Sequence, residues 1–112
     1  MNLFTDSTVP SLARFLDLSA ARQRLIASNL ANIDTPGYRT RDIDFQTEMR
    51  NALGKEPTVK QVQDLAERPD GNNVSVDREG LLLAENQLQF RVGVQLLRTE
   101  FRRLLSAINE GK

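Results

Sequence analysis

"SNLANIDTPGYRTRDIDF", Ser28 to Phe45, decides how the chain is read, because helical spacing stops inside it and strand-like alternation begins. Asn29 and Asn32 are one turn apart on the same helix face. Asn forms helices poorly and ends them well, since its amide competes for nearby backbone groups. Pro36 pushes Thr35 out of the α region, so a helix arriving from upstream must stop before it. Thr35-Pro36-Gly37-Tyr38 has Pro second and Gly third in a four-residue turn. That is the type II preference, in which Gly takes positive φ without steric cost. In Arg41–Phe45 the alternation predicts an extended run with Ile43 and Phe45 on one side and Asp42 and Asp44 on the other. Phe45, Met49 and Leu53 at four-residue steps predict a short helix after it.

Upstream, residues 12–32 carry apolar residues and alanines at Leu12, Phe15, Leu16, Leu18, Ala20, Leu25, Ala27 and Leu30, in steps of three and four. No Gly or Pro interrupts them, which predicts an amphipathic helix of roughly 30 Å. Ser7 or Thr8 is placed to cap it, with Pro10 tolerated in the first turn. Downstream, Phe90, Val94, Leu97, Phe101, Leu104 and Ile108 alternate steps of four and three, the seam that coiled coils use. Leu81, Leu88, Val92 and Leu96 widen that stripe upstream. A helix over 77–108 is expected, with Asp77 as its N-cap and Glu79 in its first turn. Arg98, Arg102 and Arg103 would balance the dipole at its far end. Gly93 either admits another backbone or is a tolerated cost of up to about 1 kcal/mol.

Between the helices, residues 33–53 read as turn, extended run and short helix. Residues 54–73 read as a loop with one helical turn around Val59–Ala66. Residues 73–77, "NVSVD", read as an extended lead-in to the second helix. Asn73-Val74-Ser75 matches a glycosylation sequon, a triplet too frequent by chance to carry weight.

The totals exclude more than they identify. The 112 residues suffice for one small unit, and 15 Lys+Arg against 15 Asp+Glu give zero formal net charge. A neutral total argues against a dedicated nucleic-acid binder, and Glu100 interrupts the arginine cluster of the second helix. There is no Cys and no His, which removes thiol chemistry, the usual zinc ligands and the commonest general base. Asp42 and Asp44 resemble a catalytic or metal-binding carboxylate pair, yet acids at alternate strand positions ordinarily form a solvated face. No catalytic, cofactor-binding or metal residues are assigned, and no small-molecule substrate is expected. Nothing approaches the roughly 18 apolar residues of a membrane span. The start, "MNLFTDSTVPSL", lacks the basic and apolar regions of a secretory signal. The chain either stays in the cytosol or leaves by a route that needs no cleaved signal.

The two apolar stripes lie at opposite ends of the chain. Two helices side by side leave much of such surface wet, and a lone helical hairpin of this size is marginal. The stripes therefore call for further helices from other molecules.

The string Asn29-Leu30-Ala31-Asn32-Ile33-Asp34-Thr35-Pro36-Gly37-Tyr38 resembles the "ANxxTxGY"-like signature of the flagellar rod and hook family of axial proteins. The continuation "YRTRDIDF", the C-terminal run from Gly71 to Ile108 and the short length are most similar to its proximal rod members. The resemblance covers both ends, and residues 54–70 add nothing to it. It implies a mainly α fold: two long terminal amphipathic helices pairing as a coiled coil, joined by an irregular middle with short extended segments. It implies a building block that self-associates in a helical rod crossing the periplasm, exported by the flagellar type III apparatus. Other rod proteins and the basal-body adaptor FliE would be its neighbours. Asn29, Asn32, Thr35, Pro36, Gly37 and Tyr38 would be the family turn. Leu12, Phe15, Leu16, Leu30 and the Phe90–Ile108 seam would be the assembly interface. The competing reading is a cytosolic coiled-coil adaptor or chaperone for one helical partner.

Overall fold

The computed structural model describes residues 8–51 and 54–111. Its frame is two antiparallel helices, α1 (Thr8–Ala31) and α3 (Val76–Glu110). Between them lie strand β1 (Arg41–Ile43), the short helix α2 (Phe45–Met49) and strand β2 (Val59–Gln61). The molecule is long and thin, 68 × 23 × 17 Å, because α3 alone rises about 52 Å at 1.5 Å per residue. The antiparallel sense follows from three levels of contact. Asn29 meets Glu79, Ser19 meets Asn86, and Phe15 and Leu16 meet Gly93. Continuing that register, Thr8 lies near the level of Glu100.

The contact between these helices is not the apolar seam. The α3 residues buried by it are Glu79, Asn86 and Gly93, spaced seven apart. Gly93 lets the α1 side chains come close: a Cβ would sit 2.8 Å from Leu16 Cδ2 and 3.0 Å from the Phe15 ring, so those side-chain ends would have to shift. Side chains of α1, rather than its backbone, fill the space that the missing Cβ leaves. Leu18, Ala21, Ile26, Ile43 and Val74 form the small apolar core beside this line.

The local reasons for the elements are clear, and several differ from the sequence reading. Ser75, not Asp77, caps α3: it has extended φ/ψ and its side chain accepts from Arg78 N. Asp77 and Glu79 then occupy the first turn, where carboxylates suit the dipole. The helix runs on to Glu110, so the three arginines lie upstream of its last turn, beyond the reach of that effect. Strand β1 ends at Ile43, and Asp44 leaves the sheet to cap α2 through Thr47 N and Thr47 Oγ1. The expected helical turn at Val59–Ala66 is instead β2, paired antiparallel with β1 in the register Arg41–Gln61, Asp42–Lys60, Ile43–Val59. Valine and the alternation beside it suit a strand edge better than a single unsupported helical turn. Two expectations, Ser7 as a cap and Leu53 as the third apolar residue of α2, lie outside the described residues. Phe45 and Phe15 meet edge to face at 5.4 Å, which fastens α2 to α1.

Candidate functional site

Two features stand out: a polar knot at the end of α1, and the apolar surface left open along α3.

The knot is built on Asn29. Its amide is 1% exposed and uses all four of its hydrogen-bonding positions. Nδ2 donates to Arg41 O (2.9 Å) and Glu79 Oε1 (3.0 Å). Oδ1 accepts from Tyr38 OH (3.0 Å) and Arg41 N (3.1 Å). One side chain thus joins α1, the turn, β1 and α3. Asn32 has the plainer role of a helix stop: Nδ2 donates to Ser28 O, and Oδ1 accepts from Thr35 Oγ1. Tyr38 N closes the turn on Thr35 O, and Gly37 has φ +75°, as the type II reading requires.

The segment after residue 67 completes the knot. Asn72, fully buried, shares its amide N–H groups among the carbonyls of Asn32, Ile33 and Thr35, capping the end of α1 from outside. Arg68 also donates to Ile33 O and Val74 O. Asn73 Oδ1 accepts from Thr40 N and Thr40 Oγ1. Asn73 is 2% exposed, so the sequon has no accessible acceptor. Arg22 grips Asp42 through two parallel hydrogen bonds (3.1 and 2.9 Å), and Arg78 joins the cluster from α3. Asp42 is therefore a structural anion, and Asp44 a cap. Further along α1, buried Arg14 donates to Glu48 O and Lys55 O, holding α2 and the loop.

Glu79 Oε1 accepts from Asn29 and from Arg78 Nη1, while Oε2 has no partner among the described residues. Burial pushes its carboxyl above the ordinary 4.5, against the pull of Arg78. The folded state thus binds this proton more tightly than the unfolded chain does. Ionised Glu79 opposes folding above its folded pKa, and that opposition is relieved as pH falls through it toward 4.5. Glu48, held down chiefly by Thr58 N–H, and Asp44, held down by Thr47, act oppositely and lose their contribution below their ordinary values. Glu79→Gln isolates the first effect. Urea titrations of both proteins should show the wild type gaining on the variant between pH 7 and 4.5; a constant difference would refute the account.

Gly37 gives a second prediction. Space around it is open, so the cost of a side chain there is conformational alone. Gly37→Val should lose about 1–2 kcal/mol and Gly37→Asn clearly less, because Asn tolerates the left-handed region. Equal urea midpoints would contradict the turn.

The second feature is surface. Phe90, Phe101, Leu105 and Ile108 are exposed on one flank of α3, and Leu81, Leu88, Val92 and Leu96 on the other. Val94, Leu97 and Leu104 are half-buried, as are Leu12, Phe15, Leu16 and Leu30 on α1. Of the expected interface residues, Phe15 and Leu16 are turned inward against Gly93, and Phe90, Phe101 and Ile108 remain outward. A groove of about 420 Å³ opens beside Phe90, bounded by Ala20, Gln23, Gln87 and Arg91. The buried Ser19 Oγ and Asn86 Oδ1 of its lining have no partner among the described residues. Among the described residues no group of three or more acids could hold a metal, and no helix is long and apolar enough to cross a membrane.

A long helix, a knotted turn and a second helix with open apolar flanks define a subunit made to be packed among others. The family model described as "Flagella basal body rod protein" matches residues 16–39, the stretch from the Gly93 contact through Asn29 to the turn. The flagellar basal body rod protein FlgB of Salmonella typhimurium is 31% identical, covering 86% of this chain and 88% of its own. That of Escherichia coli K12 is 30% identical over the same shares, and that of Bacillus subtilis 168 is 28% identical over the whole of both chains. The chain belongs to the flagellar basal body rod proteins, in the FlgB family. It is a structural subunit of the basal-body rod, located in the flagellar basal body, and nothing favours an adaptor or chaperone.

Proposed function

We propose that the chain is a helically polymerising subunit of the proximal rod, the base of the flagellar drive shaft. It leaves the cytosol through the flagellar type III apparatus, needs no cleaved signal peptide, and assembles where the rod crosses the periplasm. Its neighbours are copies of itself, other rod proteins and the adaptor FliE. It takes no cofactor and catalyses no reaction. The observation that carries this reading is the outer flank of α3, where Phe101, Leu105 and Ile108 stay 49–60% exposed. Such surface is stabilising only when neighbours cover it. The Asn29–Tyr38 knot supports the same reading by fixing the angle at which α1, β1 and α3 leave one point, so that identical copies present identical faces. Deleting the protein from its host should abolish flagella, and a plasmid copy should restore them. Flagellated deletion cells, counted by electron microscopy, would overturn the proposal.

A further inference from the structure

The exposed apolar residues of α3 form two stripes, and the stripes differ in charge. At 3.6 residues per turn, Phe90, Phe101, Leu105 and Ile108, with the half-buried Val94 among them, lie about 60–120° to one side of the Gly93 line that faces α1. Leu81, Leu88, Val92 and Leu96 lie about 60–140° to the other side. Arg91, Arg98 and Arg102, all exposed, border the first stripe, and no acid lies along that edge. Asp77, Glu85 and Glu110, all exposed, border the second. The two basic residues on that side are already engaged, Arg78 with Asp42 and Glu79, and Arg103 with Glu100. Among the described residues, none of the three arginines balances the helix end or joins the knot.

We infer that α3 is a two-sided coupling: the arginine-bordered stripe of one copy packs on the acid-bordered stripe of the next copy. This rests on the self-association proposed above and specifies its contact. Like stripes set face to face would oppose three arginines to three arginines, or acids to acids. Unlike stripes bring opposite charges together around two apolar strips. The first stripe is centred near residue 99 and the second near residue 89. Parallel neighbours must therefore be offset along α3 by about 15 Å, ten residues at 1.5 Å each. That offset sets Arg98 within about a turn of Glu85, and Arg91 between the levels of Asp77 and Glu85. A contact between two different faces with an axial offset does not close on a dimer, and it generates a filament when repeated.

The test uses the full chain with one stripe broken at a time. Leu105→Asp breaks the arginine-bordered stripe and Leu88→Asp the other; both residues are at least 60% exposed, so folding is preserved and is checked by urea unfolding. In sedimentation, wild type should associate without a fixed end point, and more weakly at high salt. Each variant alone should be monomeric at concentrations at least tenfold above the wild-type onset. Mixed in equal amounts, they should form a dimer that grows no further, since one intact pair of unlike stripes remains. Glu85→Arg should weaken wild-type association, and Arg98→Glu in the same chain should restore it. If each variant alone still dimerises and mixing adds nothing, like stripes pair and the inference fails while self-association stands. A wild type monomeric at every concentration would sink both.

Discussion

Asn29→Ala should cost the fold about 3 kcal/mol, several times the cost of Asn32→Ala three residues on. A net protein hydrogen bond contributes about 1 kcal/mol, but stranding a buried partner costs about 1–3 kcal/mol. Asn29→Ala strands Arg41 N and O, leaves Tyr38 OH only Ser28 Oγ, and removes one of the bonds that stabilise Glu79. Arg41 and Tyr38 lie close enough to solvent for water to recover part of this, which keeps the figure well below the sum. Asn32→Ala loses one bond to Ser28 O and one to an exposed threonine hydroxyl, worth about 1 kcal/mol together. Against a total stability of about 5–15 kcal/mol for a small protein, the first variant is partly unfolded at modest urea and the second is not. The measurement is the urea midpoint with unchanged slope. Asn29→Asp sharpens the test. It keeps the acceptor for Tyr38 and Arg41 N but turns a carboxylate toward Arg41 O and Glu79, so it should fail at neutral pH and improve on acidification. If Asn29→Ala and Asn32→Ala lose the same stability, Asn29 is an ordinary helix stop and the knot is no organising feature.

The contrast between those two residues also marks how far the sequence could be read. The local chemistry of the turn was legible, because Pro36 and Gly37 constrain their own backbone and the one before it. That Asn29 rather than Asn32 is the junction was not legible, since its partners Arg41 and Glu79 are 12 and 50 residues away. The same holds for Asn72 and Asn73, which the sequence presents as polar loop residues and the fold buries completely or nearly so. On α3, apolar periodicity located the helix and its outward stripes. The line that meets α1 is Glu79–Asn86–Gly93, and no hydrophobic count finds a heptad written in an acid, an amide and a glycine. Its signal was present as a seven-residue spacing, but pattern reading weights size and oiliness, whereas this contact is set by hydrogen bonds and by a missing Cβ. The short strand β2 escaped because three residues at a sheet edge have too little periodicity to register. An inward face specified by polar groups leaves the apolar positions for the outside, which is why the exposed apolar flanks of α3 were easier to see in the sequence than the face that meets α1.

Phe101→Asp should abolish motility while leaving the isolated protein as stable as before. Phe101 is 49% exposed, so the monomer gains little from its ring. In unfolding experiments the substitution should fall within about 0.5 kcal/mol of wild type, as surface changes do. In the assembly proposed above the same position is covered. There an aspartate has to surrender its hydration without a partner, at several kcal/mol per contact, and the apolar contribution of the ring is lost as well. Every subunit repeats the defect, and a repeating contact weakened by even about 3 kcal/mol raises the concentration needed for assembly more than a hundredfold. Cells should make the variant in normal amounts on an immunoblot and fail to spread in soft agar. Leu97→Asp is the necessary comparison. Leu97 is half-buried on the side of α3 nearer α1, so an aspartate there should lower monomer stability and block assembly together. The pair separates the two surfaces of one helix: loss of motility with an intact fold at 101, and loss of both at 97. Swimming cells that carry Phe101→Asp would remove that ring from the rod contact and, with it, the reason for reading the outer flank of α3 as a surface made for neighbours.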